Sequence, residues 1–196
     1  MKNQEVEFYI MKGLSNSSDS WIVGGNSKIG FSNGNYLRLN TTAAKGSTAA
    51  TDIGIPSDKS QVFVNVRNYD GQETIVYCWH SVPGLQKFGT YLGNNDADGT
   101  YVELGFRPAV IIIKTTSGGS WVIKDSARKP TNPNDSQLYA NTNAADDDPQ
   151  GAMDFLSNGF KSRVASQSVN ASETYVYAAW AEAPAFNLYG GQSNAR

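Results

Sequence analysis

The chain has one cysteine and one histidine in 196 residues. A lone Cys78 excludes an internal disulfide. One Cys with one His excludes a closed structural zinc site built by a single chain. Charge is scarce: 17% of residues are charged and the net charge is -2. That balance leaves no basic footprint for nucleic acid and none for an anionic membrane surface. Apolar runs stay short, as in AVIII at 109–113, far below a membrane span. The opening MKNQEVEFYIMKG lacks the apolar core of a signal peptide. A protein assembled in a reducing cytoplasm fits these absences, and sequons such as NTT at 40–42 are then coincidences. Helical periodicity is missing too, since no segment keeps apolar residues at i, i+3, i+4 and i+7 for three turns.

What is present is strand-like. The segments 8–12, 20–25, 36–40, 62–66 and 74–81 are rich in Val, Ile, Tyr, Trp or Thr, and Gly, Asn, Asp, Ser or Pro bound them. The same holds for 87–93, 100–106, 109–114, 120–126, 137–141, 159–164 and 174–182. TTAAKG (41–46) and AMDFLS (152–157) suggest short helical turns. Many short strands at regular spacing predict an all-β fold with sandwich-like packing.

The chain also repeats itself. YIMK at 9–12 matches IIIK at 111–114, and SDSWIVGG around Trp21 matches GGSWVIKD around Trp121. LRLNTTAA (37–44) matches LYANTNAA (138–145), and ETIVYCW (73–79) matches ETYVYAAW (173–180). Four matches in one order at offsets of 100 to 102 predict two related β-sandwich-like units in tandem. The first spans residues 1–82, the second 83–184, and 185–196 form a C-terminal tail. The second unit opens with two extra strands, KFGTYLG and TYVELGF, that the first lacks. Either they stayed behind in a longer parent protein, or another segment or subunit supplies them. An unpaired strand edge would otherwise invite association.

The repeat predicts two equivalent cores, each with its own Trp. Alternation along YVYAAWAE puts Tyr175, Tyr177 and Ala179 on one face and Val176, Ala178 and Trp180 on the other. Both faces are bulky or apolar, so this strand is expected at the centre of a sheet. Cys78, aligned with Ala178, is expected to be small and buried rather than nucleophilic.

The series GFRPAVIIIK, SWVIKDSAR, LYANTNAA, DFLSNGFKSR and NASETYVYAAWAEAP, closing on NAR, resembles a β-rich repeat of tailed-bacteriophage virion proteins. Marine phages and cyanophages carry it in tail fibres and other structural proteins. The resemblance runs from about residue 8 to Arg196 and is strongest in the second copy; the first has GGNSKIG where the second has KDSARKP. It implies a non-enzymatic structural protein, the C-terminal region of a tail fibre or appendage acting in host-surface adhesion or assembly. It further implies a homotrimer located in the virion, with other virion proteins and a host-cell surface glycan as partners. No cofactor, nucleic acid or membrane insertion is implied, and no catalytic residue can be carried over. The NAR ending suggests a true C-terminus, and the start in mid-unit suggests a shortened N-terminus. Two alternatives stand beside this reading: a capsid decoration without a receptor role, and a polysaccharide-degrading tailspike module.

Candidate sites remain sparse. NNDADG (94–99) has the opening of a calcium loop through Asp96 and Asp98, but the twelfth position is Gly105 instead of Glu. Asp-Gly between strands is also a hairpin signal, and that is the expected reading. Asp146, Asp147 and Asp148 read as a solvated acidic loop. A glycosidase pair needs two carboxyls facing one cleft, a geometry in which sequence does not place Asp52, Asp125, Asp148 or Glu182. His80 has no partner for a triad and is expected at the surface or an interface. The four Trp residues are expected in the core. The glycan-contact candidates are Tyr69, Tyr189 and, from the basic SARKP loop with Lys129, Arg128.

Overall fold

In the computed structural model, residues 5–55, 61–64, 73–146 and 151–182 are described. The strands of the first unit are β1 (Phe8–Gly13), β2 (Ile22–Gly25), β3 (Asn35–Arg38), β4 (Gly46–Ser47), β5 (Ile53–Gly54), β6 (Phe63–Val64) and β7 (Thr74–Trp79). Those of the second are β8 (Gln86–Leu92), β9 (Tyr101–Glu103), β10 (Pro108–Thr115), β11 (Val122–Asp125), β12 (Leu138–Tyr139), β13 (Met153–Leu156), β14 (Gly159–Ser162) and β15 (Thr174–Ala181). A 3-10 turn, Ser27–Ile29, follows β2. All pairings are antiparallel.

The repeat is visible in strand order. The first large sheet runs β4-β3-β2-β1-β7 and the second runs β12-β11-β10-β15-β8. Thus β3-β2-β1-β7 corresponds to β12-β11-β10-β15. The pair β5-β6 has its counterpart in β13-β14 of the three-stranded sheet β13-β14-β9. The two strands that the first unit lacks are β8 and β9. Each extends a sheet of the second unit by one strand: β8 lies along β15, and β9 along β14. Small shared details follow the same equivalence. The Asn40 side chain accepts from the Trp21 backbone N–H, and the Asn141 side chain accepts from that of Trp121.

Strand alternation sorts the apolar side chains into three layers. In β15, Tyr175, Tyr177 and Ala179 face the three-stranded sheet and meet Val102, Met153, Phe155 and Phe160. On its other face, Val176, Ala178 and Trp180 meet the first unit. In β1, Tyr9 and Met11 face Ile53 and Ile55 around β5-β6, whereas Phe8 and Ile10 face the second unit. The two large sheets therefore pack on each other, and each carries a smaller sheet on its outer side. Two equivalent cores, each with its own Trp, are not what forms. The middle layer belongs to both units, and Trp121 is buried in it among Phe8, Val23 and Leu37. Trp21 is only half-buried.

Three expectations are corrected. Residues 41–46 and 152–157 form no helical turns: the first leads into β4 and the second contains β13. Apolar Met153 and Phe155 alternate with Asp154 and occupy the core, which short strand periodicity explains better than a helix. The Asp-Gly of NNDADG makes no hairpin, because β8 and β9 lie in different sheets and the loop crosses between them. Cys78 is exposed, not buried. The ETIVY and ETYVY letters align at an offset of 100, yet the structural offset along these strands is 101. Tyr9 pairs with Cys78 while its counterpart Ile111 pairs with Ala179. Ala178 and Ala179 are both buried, so it is not the slip that exposes Cys78. Cys78 lies on the outer strand of its sheet among the described residues, whereas β15 lies between two strands.

Candidate functional site

Tyr69, Tyr189, Asp147 and Asp148 lie outside the described residues. Arg128 lies in the loop after β11, where Asp125 organises it. The Asp125 carboxylate accepts from the Arg128 backbone N–H at 2.8 Å and from its Nε at 2.5 Å. A second guanidinium nitrogen reaches Asp146 at 3.0 Å. Burial pushes the Asp125 carboxyl up, but the bonds from Arg128 outweigh it and hold the group below its ordinary value. Lys129 pairs with Asp135 at 3.1 Å. The basic patch is therefore paired with its own acids.

Asp96 and Asp98 sit on the 93–100 loop. The Asp96 carboxylate accepts from the Asp98 backbone N–H at 2.8 Å, and Asp98 pairs with Lys161 at 2.6 Å. The Lys161 ammonium keeps the exposed Asp98 carboxyl below its usual range. Among the described residues, no group of three or more His, Cys, Asp or Glu is arranged to hold a metal ion. The loop is organised by Asn170, which the sequence did not single out. This buried amide accepts from the backbone N–H of Asn94 and Thr100, and it donates to the Asn94 side chain and to the carbonyls of Asp96 and Val164. One residue thus satisfies the turn from inside, where unpaired backbone groups would be costly.

Of the carboxylates weighed for hydrolysis, the three described have separate partners. Asp52 accepts from the Thr48 hydroxyl and the Ala49 N–H, Asp125 holds Arg128, and Glu182 pairs with Arg107 at 3.0 Å. His80 is half-buried and directly follows β7.

Two buried lysines also escaped the sequence reading. Lys114 donates to the carbonyls of Thr41 and Gly119, each at 2.7 Å, and its ammonium lies 5.6 Å over the Trp121 ring. Burial lowers its pKa to about 8. Lys124 donates to the carbonyls of Asn134 and Ser136. The only sequence signal for either is a Lys ending an otherwise apolar strand pattern, as in IIIK and VIK.

A different surface stands out at β7. Among the described residues it is the outer strand of its sheet, and Val76 and Tyr77 are 37% and 45% exposed. In the equivalent strand β15, Val176, Tyr177, Ala178 and Ala179 are at most 3% exposed. The chain turns from β7 into β8 through Ser81, whose N–H donates to Glu7 at 2.8 Å. Burial raises the Glu7 pKa, but hydrogen bonds from Ser81 and Lys28 prevail and leave it lowered.

A family model, described as a domain of unknown function (DUF7483), matches residues 3–184. The chain belongs to the DUF7483 family. Neither a curated protein nor a solved structure matches it. The DUF7483 match spans the described strands of both units, so the doubled architecture lies within the family's domain.

Proposed function

We propose that this DUF7483 chain is a non-enzymatic structural component of a bacteriophage virion, the C-terminal region of a tail fibre or similar appendage acting in host-surface adhesion or assembly. The sequence motifs that resemble phage virion repeats support this reading. The structural observation that carries it is the fastening of the Asn- and Asp-rich 93–100 loop by the buried Asn170 amide. A polar loop fixed in one shape loses little conformational freedom when it meets a surface polymer. Contacts too weak to serve singly are multiplied when copies of the chain share one particle. The assembly is a homotrimer.

Light scattering after size exclusion tests the assembly, with a trimer expected and a monomer overturning the fibre form. Incubation with purified bacterial surface polysaccharides tests the role. Retention of polymer at unchanged length supports adhesion. Shortened polymer would overturn the non-enzymatic reading.

A further inference from the structure

We propose that Tyr77, Trp79 and Trp180 form a stacking platform for a neutral hexose polymer, at the margin of the layer that the two units share. The inference gives the adhesive reading a site and a ligand class, and it rests on that reading.

The first observation is where the repeat sends its tryptophans. Trp79 and Trp180 close equivalent strands: Phe8 pairs with the one in β7 as Val110 pairs with the other in β15. The two rings meet edge to face, 6.4 Å apart. Tyr77 adjoins Trp79 at 6.1 Å, with the ring planes 25° apart. Two rings of the first unit and one of the second therefore lie in succession. Leu85 adjoins the same end of β15, its carbonyl accepting from the Ala181 N–H. Tyr77 is 45% exposed and Leu85 40%, and both indoles are half-buried. Single exposed apolar residues are ordinary, whereas a contiguous group marks a contact surface.

The second is how the rings are held. Phe8 and Phe88 are buried and stack 5.2 Å apart. Phe8 lies 5.7 Å from Trp79, and Phe88 lies 5.7 Å from Trp180. A platform backed by the core loses little freedom when a ligand settles on it. The buried Trp121 commits its indole N–H to the Arg38 carbonyl. The indole N–H groups of Trp79 and Trp180 donate to no described residue, which leaves them for a ligand's acceptors. Gln86 lies directly opposite Trp180, and its amide is fixed by a 2.7 Å bond to the His80 carbonyl. It adds a positioned polar group beside the rings.

The third is charge. From Thr74 to Gln86 the chain has no Asp, Glu, Lys or Arg. The acids near the two strand ends are taken: Glu7 by Lys28 and the Ser81 N–H, and Glu182 by Arg107. A charged polymer would be desolvated here without a counter-charge. A neutral hexose ring lays its C–H face on the aromatic rings and turns its hydroxyls to the indole N–H groups and the amide. Those donors also favour a hydroxyl-rich ligand over the apolar side chains of a second copy, which would bury them unpaired.

Affinity electrophoresis of the full chain tests the site, in gels containing dextran, mannan, galactan or, as the anionic counterpart, polygalacturonate. At least one neutral polymer is expected to retard the chain. Tyr77→Ala should weaken that retardation about tenfold, the loss expected of an aromatic contact residue, and Tyr77→Phe should keep it. Tyr77 is exposed, so an unchanged denaturant midpoint checks that both variants fold. Retardation by polygalacturonate alone would overturn the neutral ligand class. Equal retardation of Tyr77→Ala would overturn the site. Either result leaves the adhesive reading standing, whereas a chain retarded by none of the polymers would overturn both. An assembly that Tyr77→Ala dissociates in light scattering would assign the rings to a contact between copies and overturn the site too.

Discussion

The indole Nε1 of Trp121 donates to the backbone carbonyl of Arg38 at 2.8 Å, joining the second unit to the first. Trp121→Phe keeps an aromatic ring, though a smaller one, and leaves that carbonyl without its donor, a loss that by itself costs about 1 to 3 kcal/mol. Trp121→Ala also opens a cavity in the middle layer and costs about 3 to 5 kcal/mol. Because both units build that layer, each variant should shift one common unfolding transition, measured by fluorescence and circular dichroism in denaturant. Separate transitions for the two units would contradict the shared core.

Stability should rise with pH between about 8 and 10. Lys114 titrates near 8 in the fold because burial disfavours its charge, against an ordinary 10.5. In that window the unfolded chain binds the extra proton, so raising the pH favours folding. Above 10 the sign reverses. Burial pushes Tyr175 and Tyr177 up to about 12, so they ionise in the unfolded chain first. Lys114→Met should abolish the rise and keep the fall. Denaturant midpoints across the alkaline range decide it, and an unchanged rise in the variant would assign it to another group.

Asn170→Ala should cost about 2 to 4 kcal/mol, since it strips several buried partners at once. The effect should be local in exchange measurements. Amides of residues 93–100 lose protection, while those of β1 and β2 do not. Uniform loss throughout the chain would show that the amide supports more than its loop.

Among the described residues three glycines carry tyrosine rings, one of them Gly46 beneath Tyr36. Tyr9 lies across Gly24 and Tyr177 across Gly89, each a directly paired cross-strand neighbour. A Cβ on Gly24 would stand 2.3 Å from the Tyr9 ring, and one on Gly89 2.7 Å from the Tyr177 hydroxyl. Gly89→Ala should therefore cost about 1 to 3 kcal/mol by overpacking. Combining it with Tyr177→Leu should cost less than the sum of the two changes, the coupling expected of residues in contact. Strict additivity would mean that the ring does not rest on the glycine.

Much of the fold was legible in the sequence. Alternation in YVYAAWAE predicted both faces of β15, because a central strand has to satisfy two apolar layers. The offset matches predicted the repeated strand order. What escaped depends on tertiary context. β4 and β5 have two residues each, too few for a period to show, and the alternation of β13 is brief enough to read as a turn. The Asp-Gly signal describes a turn but not whether its flanking strands share a sheet. Cys78 was misplaced because aligned letters do not show that β7 is an outer strand where β15 lies between two others. The candidate site was less legible still. Tyr69 and Tyr189 lie outside the described residues, Arg128 is held by Asp125 and Asp146, and Asn170 and Lys114 depend on the 94–100 loop and on Thr41, both 70 or more residues away in sequence.

The position of β15 has a consequence for how the protein is made. It is the last strand described, yet it lies between β10 and β8, the latter starting at residue 86. As the polypeptide leaves the ribosome, the first large sheet has all five strands once residue 79 has emerged. β8 and β10 then wait without the strand that joins them until residues 174–181 are synthesised. Their apolar faces are exposed throughout that interval, and pairings this distant in sequence form slowly. The synthesis of residues 174–181 is therefore the step on which closure of the second sheet depends. A chain halted before residue 174 has four of the five strands of its second sheet but not the one that joins β8 to the others.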